Sequence, residues 1–329
     1  MYRFAAIGAF SGHLDQSHFP QLQALGHTVT AVYDISSDPA KLQKVLNRFP
    51  NAAFCSSVAE LLSRTDIDAV LIASYDEMHP EHLAQVIARG LPVWVEKPLA
   101  VTAAGMRSVR DSFAKAKRAG IPVMSCHPRQ DTQNRDLPYG WVNTQLARLR
   151  RQFGELIHVG LDFAYPAPRG GWKADGRSLA GDHATHELLA IRDWSGSKEK
   201  IRALLVHDSP DHYSMVGAIG KMSFSCVGTR LEEPGLELYP ETIDLRFKKG
   251  RQGVDTGTGK LLAKIHGSWS EYGNKIRPLT GKAAYDDVFM AGARRFIAVL
   301  EKRVPPPYDE LLEINSAMIE LLEHGKVGC

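Results

Sequence analysis

Short apolar runs alternate with amphipathic stretches through residues 1–125, and this alternation narrows the fold more than any other feature of the chain. Phe4–Ile7, Thr28–Tyr33, Ala69–Ala73, Val93–Val95 and Pro122–Ser125 are short and almost wholly apolar, and read as buried strands. Between them, Phe19–Leu25, Pro39–Phe49, Val58–Ser63, Pro80–Arg89 and Ala103–Ala119 carry helical patterns. In the last of these, Met106, Val109, Phe113 and Ala116 recur three or four apart and so share one face. Gly26, Gly90 and Gly120 each stand just past a helix, where a left-handed cap favours a residue without Cβ. Strand and helix in strict alternation build a parallel sheet with helices on both faces.

The pattern changes after Ser125. Segment 127–140 is polar, and Gln145–Phe153 is helical. Strand-like runs then follow more closely on one another: Leu156–Phe163, Arg202–Val206, Ser214–Ile219, Lys221–Val227, Thr242–Phe247 and Leu261–Ile265. Several alternate apolar with polar residues, as an antiparallel sheet with one wet face requires. A helix from Gly181 to Trp194 interrupts them, and helices over 285–303 and 308–323, parted by Pro305–Pro307, close the chain. The expected second domain is therefore α+β with an open, largely antiparallel sheet. The boundaries read as 1–125 and 126–329, with the final helices free to pack back on the first domain. At 329 residues the chain exceeds what one ordinary core supports.

Composition excludes several classes of function. Apolar residues make up 44% and charged residues 23%, ordinary globular values that leave no room for a disordered or collagen-like chain. A net charge of +3 is too mild to imply a nucleic-acid or membrane partner. Cys55, Cys126, Cys226 and Cys329 form no CxxC pair and lie at no zinc-finger spacing to a histidine, so they read as free thiols in a reducing compartment. The N-terminus runs straight into a strand, and no run reaches the roughly 18 apolar residues of a membrane span. The expected location is cytoplasmic.

Ligands of an open parallel sheet bind beyond the carboxyl ends of its strands. Here those ends are Gly8, Asp34, Ser74 and Glu96. An acid at the end of the second strand can hold both ribose hydroxyls of an adenosine and would repel a 2′-phosphate. Asp34 therefore favours NAD; Ser36, Ser37 and Lys41 beside it keep NADP open, and a helix cap or turn is the other role for an aspartate there. The glycine fingerprint is altered, with Phe10 and His13 where a strict G-x-G-x-x-G from Gly8 needs glycines. Gly8-Ala9-Phe10-Ser11-Gly12 reads as a lengthened phosphate loop whose backbone amides, with the Ser11 hydroxyl, face a pyrophosphate. Together these features describe a Rossmann-type dinucleotide domain.

Two segments carry chemistry. Val95-Glu96-Lys97-Pro98 sets a lysine at a strand end, fixed by the proline, where its ammonium can donate to a substrate oxygen; a surface lysine in a loop is the plainer alternative. In Gly181-Asp182-His183-Ala184-Thr185-His186, Asp182 and His186 lie four apart and share a helical face, with His183 pointing elsewhere. A carboxylate beside an imidazole orients it, and the pair can move the proton of an alcohol whose carbon exchanges a hydride. A solvated polar helix start is the alternative. A zinc site from Asp182, His183 and His186 is conceivable, but no metal is expected, since hydride transfer needs none and no cysteine ligand lies nearby.

These segments, in order and spacing, resemble the Gfo/Idh/MocA oxidoreductases over nearly the whole chain. The resemblance rests on Ile67–Ser74 with His79-Pro80-Glu81-His82, on Gly90–Pro98, on Phe153–Leu156, and on Gly171-Trp172-Lys173 followed by Ala180–His186. It implies that Lys97 binds the reacting oxygen, that Asp182 and His186 complete the acid–base set, and that Glu96 lies near the nicotinamide ribose. With Gly8, Phe10, Ser11, Gly12, Asp34, Ser74, His79 and Lys97, Glu96 makes up the expected cofactor site. His127, Arg129, Tyr165, Trp172, Lys173 and His183, with Arg169 nearby, are the expected substrate wall. Aromatic rings there stack on sugars, and basic groups bind hydroxyls or an acid group. The implied activity is NAD(P)-dependent hydride transfer on a sugar, polyol or similar substrate, in a homodimer or homotetramer packed through the open sheet face. Two alternatives keep the fold: oxidation–elimination without net redox change, and a non-catalytic ligand-binding regulator. The chain departs from the family pattern at Asp76, Ala184 and Leu189, as well as in the glycine loop.

Overall fold

The computed structural model describes residues 1–166, 178–231, 241–265, 268–271, 276–279 and 281–325. The chain divides into two compact units, residues 1–127 with 292–316, and residues 128–291 with 317–329. No described helix is long and apolar enough to cross a membrane.

In the first unit the strands are β1 (Arg3–Ile7), β2 (Thr28–Tyr33), β3 (Ala53–Phe54), β4 (Ala69–Ile72), β5 (Val93–Val95) and β6 (Val123–Ser125). The helices between them are α1 (Phe19–Ala24), α2 (Pro39–Arg48), α3 (Val58–Ser63), α4 (His79–Ala88) and α5 (Ala103–Ala119). All strand pairs are parallel, in the order β3-β2-β1-β4-β5-β6. The helix starts are written locally. Asp38 caps α2 by accepting from Ala40 N and Lys41 N, and Thr102 caps α5 by accepting from Gly105 N at 3.0 Å. Gly120 ends α5 at φ +67°, a conformation that costs other residues about 1 kcal/mol or more. Residues 292–316 complete this core: Phe296 packs against Phe4 and Trp94, and Tyr308 donates to the carbonyl of Ile121.

The second unit opens with α6 (Pro128–Asp131), α7 (Pro138–Phe153), β7 (Leu156–Pro166) and α8 (Leu179–Ser195). Then come β8 (Ile201–Asp208), β9 (His212–Ile219), β10 (Met222–Leu231), β11 (Glu241–Phe247), β12 (Gly250–Asp255), β13 (Leu261–Ile265) and β14 (Ser268–Glu271). The chain ends with α9 (Gly281–Leu300) and α10 (Tyr308–His324). The sheet runs β14-β13-β12-β11-β7-β10-β9-β8 and is antiparallel except where β7 meets β10. Helix α7 begins at Pro138, well before Gln145, because proline at a first helical position needs no partner for its missing N–H. Strand β12 has no strong signal of its own. It holds Gly250 and Gly253, and pairing with β11 and β13 makes it a strand.

One face of this sheet is apolar and covered by α8. Its centre also buries charge. Arg129 of α6 lies 2.8 Å from a Glu241 carboxylate oxygen and 3.5 Å from Glu187 of α8. Tyr139 of α7 donates to Glu241, and Tyr213 of β9 donates to Glu187 at 3.1 Å. All five side chains are buried. Two carboxylates thus face one guanidinium, and burial with too little positive charge lifts Glu187 to about 7 and raises Glu241 as well.

A raised carboxyl means that the folded state keeps a proton that the unfolded chain releases near pH 4.3. Stability from this group is complete below about pH 4.3 and falls as pH rises towards 7. Buried neutral histidines act in the opposite sense over part of that range, so the quantity to read is a difference. Thermal unfolding of wild type and Glu187→Gln between pH 4.5 and 8 should show the variant gaining on the wild type as pH rises. Parallel curves would mean that Glu187 is ionised throughout.

Candidate active site

In the first unit the chemistry-bearing residues gather at the carboxyl ends of the parallel strands. Gly8 follows β1 at φ +78°, and a Cβ there would overlap the backbone of Ala73 and Ser74, so only glycine fits. Nothing lies within 4 Å of where a Cβ on Gly12 would sit, so packing makes no such demand there. The Gly8 and Ala9 amides donate to Tyr33 O, Phe10 N donates to Asp34 at 2.9 Å, and Ser11 N donates to Gly8 O. The expectation that this whole loop offers its amides to a pyrophosphate is corrected on that account: the first four are spent inside the fold. The helical run after Ser11 starts as a π-helical turn, Leu14–His18, and continues into α1.

Asp34 is both a turn residue and a candidate ribose ligand. Its carboxylate accepts from Phe10 N and from Ser36 N, each at 2.9 Å, and its side chain stays partly accessible. Each carboxylate oxygen has a second lone pair for a hydroxyl. Ile35 and Tyr75, both exposed, stand next to the ends of β2 and β4 and offer apolar surface there. Phe10 stacks on Phe54, with ring centroids 6.0 Å apart. A glycine that must be glycine, an accessible acid after β2 and apolar side chains at the same sheet edge fit a dinucleotide.

The turn after β5 is held from several sides. Glu96 is buried and pairs with His18, whose ring also meets Trp94 edge-on at 4.4 Å. The His18 bond and the nearby positive charges outweigh the burial cost and hold the Glu96 carboxyl well below the usual range. Leu99 N donates to buried Asn315 at 2.9 Å. His79 is fully buried, with Nδ1 2.7 Å from Pro98 O and Nε2 2.9 Å from Ser74 O. His79 was expected at the cofactor; the structure makes it a brace between the ends of β4 and β5, since both ring nitrogens lie on backbone carbonyls. Ser74 Oγ sits 2.8 Å from His82 Nδ1. With its backbone fixed in this way, half-buried Lys97 is carried on a rigid support. Its charge, that of Arg295 and above all burial push His127 down to about 3, so His127 is a neutral imidazole at physiological pH.

In the second unit, α8 presents Asp182, His183 and His186. Ser178 caps it by accepting from Gly181 N at 3.1 Å and donates to Asp208 at 2.6 Å. Asp182 and His183 are buried and His186 is half-buried. His183 does not point away from the acid: its Nε2 is 3.9 Å from Asp182 Oδ2, and its ring lies 5.0 Å from Phe163 and 6.0 Å from His186. Arg129, expected on the substrate wall, is instead neutralised inside the Glu187–Glu241 cluster. The side chain of Tyr165, together with Arg169, Trp172 and Lys173, lies outside the described residues.

Several residues that shape the site carry little local signal. His18 is one of thirteen histidines and sits in a turn with no motif. Asn315 is more legible, as a polar residue among Leu311, Ile314 and Met318 on one helix face.

Comparison with known proteins agrees with this geometry. Residues 2–123 match the family described as "Oxidoreductase family, NAD-binding Rossmann fold". An inositol 2-dehydrogenase from Klebsiella pneumoniae is 34% identical over 128 residues, 38% of this chain and 37% of the relative. The match thus spans well under half the length of such relatives. An oxidoreductase from Agrobacterium radiobacter, solved with NAD+, L-tartaric acid and magnesium, superposes with a TM-score of 0.80 at 16% identity, covering 100% of this chain and 97% of that one. A variant of KijD10, a 3-ketoreductase from Actinomadura kijaniata solved with TDP-benzene and NADP, gives 0.75 at 18% identity over 98% and 97%. At those identities the likeness speaks for the fold alone. Residues 2–123 thus match the NAD-binding Rossmann domain of the Gfo/Idh/MocA oxidoreductases.

Proposed function

We propose that this protein transfers hydride between NAD and a hydroxyl-bearing carbon of a sugar, polyol or similar small polar substrate. The observation that carries the reading is the braced Glu96-Lys97-Pro98 turn at the carboxyl edge of a dinucleotide-binding sheet. Such rigidity is what a group needs if it is to hold a reacting oxygen in one place. When bound, the nicotinamide supplies the two-electron acceptor. Lys97 holds the reacting oxygen, and Asp182 with His186 takes the hydroxyl proton as the carbon gives up its hydride, returning it in the reverse direction. Asp34 favours NAD over NADP by its charge. The inositol dehydrogenase relatives support a polyol, and the pairing of Arg129 with two buried carboxylates removes one reason to expect an acidic substrate.

The wider setting belongs to the same proposal. Leu204, Val206, Val216 and Leu262 are exposed on strands of the second sheet, and an open sheet face with such residues suits a homodimer or homotetramer. Cys55, Cys126 and Cys226 are buried and form no disulfide among the described residues, which suits the cytoplasm.

The first test is fluorescence titration with NADH and NADPH, where NADH should bind more tightly; Asp34→Asn should narrow the gap, and an unchanged ratio would leave Asp34 as a turn residue only. Lys97→Ala and His186→Ala should each lower kcat with inositols or related polyols by roughly 10²-fold or more while NADH affinity stays close to wild type. Full activity in both variants would overturn the assignment. Val206→Glu should lower the molar mass measured by light scattering; an unchanged mass would move the interface elsewhere.

A further inference from the structure

Helix α8 is held by directional bonds at both ends and at its middle. Its start is tied by Ser178 to Asp208. Near its end, Trp194 Nε1 donates to Asn143 at 2.8 Å, and Asn143 in turn donates to the carbonyls of Gln130 and Thr132. At its middle, two consecutive residues of α6 meet two consecutive residues of α8: Arg129 lies against the Glu187 carboxylate, and Gln130 Nε2 donates to His186 O at 3.4 Å. From the sheet side, Tyr213 of β9 donates to the other Glu187 oxygen.

Residues on a helix are about 100° apart around its axis. Glu187 therefore faces the sheet, with Ala184, Leu188 and Ile191, while Asp182 and His186 share a neighbouring flank. Ala184, Leu188 and Ile191 are apolar and slide with little directional cost. Glu187, set among them, makes bonds to Arg129 and Tyr213 whose length and angle depend on how far the helix has turned. We propose that Glu187 is a positioning residue for Asp182 and His186: clamped between Arg129 and Tyr213, it fixes the rotation of α8 about its own axis. The proposal rests on the assignment of proton transfer to that pair.

The magnitude is consequential. A side-chain tip about 5–6 Å from the axis moves about 1 Å for each 10° of rotation, and a 1 Å misplacement can cost about 10²-fold in rate. Burying this acid is no obvious gain in stability, because an apolar residue of similar size in such a place is often neutral or stabilising. Stability and activity can therefore be separated.

The test compares wild type with Glu187→Gln, Glu187→Leu and Tyr213→Phe by thermal unfolding, NADH affinity and steady-state kinetics on the best polyol. Glu187→Gln keeps an oxygen for Tyr213 and should keep kcat within about threefold of wild type. Glu187→Leu should fold and bind NADH as wild type does, keep KM within a few-fold, and lose roughly tenfold or more in kcat. A folded Glu187→Leu with wild-type kcat would overturn the proposal. If that variant does not fold, Tyr213→Phe decides, since it removes one hydroxyl and leaves the carboxylate on Arg129; a several-fold fall in kcat supports the clamp and an unchanged kcat refutes it. If wild type turns over no polyol at all, the assignment of function has failed, and the clamp is judged instead by the His186 ring signals in NMR, identified with His186→Gln. Movement of those signals in the Glu187 or Tyr213 variant supports the clamp, and identical spectra reject it.

Discussion

A carboxylate buried in protein costs several kcal/mol unless a partner offsets the lost water, and in the first unit the ordering of the site follows from that constraint. Glu96 sits at the end of a central strand, buried and ionised. It is kept so by His18, which comes from the helical turn after the glycine loop. One buried contact thereby ties the start of the dinucleotide site to the turn that carries Lys97. His79 and Asn315 then take up backbone groups of the same turn, from α4 and α10. Polar groups with no water to turn to are satisfied by each other, and the geometry that results has few ways to relax.

The second unit meets the same constraint with a different balance. Arg129 is shared by two acids, so the cluster holds one carboxyl more than its cation can neutralise. Burial then favours keeping a proton on Glu187. The cluster joins α6, α7, α8, β9 and β11, and works alongside the hydrogen bonds of Asn143, Trp194 and Gln130 among the helices. Packing supplies the stability of such a layer, and the hydrogen-bonded charges supply its register.

Both units show why a basic residue near a proposed site is weak evidence for ligand binding. Arg129 has the right chemistry for an acidic substrate, but its guanidinium is already committed. His79 has the right place in the motif for a cofactor ligand, but both nitrogens lie on carbonyls. Asp34 shows the converse, since the turn it organises and the hydroxyls it could hold use different lone pairs of one carboxylate.

By itself the sequence determined the layered sheet of the first unit, the open sheet of the second, the glycine helix ends at Gly26, Gly90 and Gly120, and the two segments that carry Lys97 and Asp182–His186. Those features are local: periodicity, capping and turn chemistry act over a few residues and can be read in order along the chain. The tertiary structure alone decided that His18 pairs with Glu96 across 78 positions, that Asn315 meets Leu99 across 216, and that Arg129 turns inward to Glu187 and Glu241. Strand β12 belongs with these, because pairing made it. The partner of a buried charge is set by which elements the fold brings together, and no periodicity along the chain records that distance.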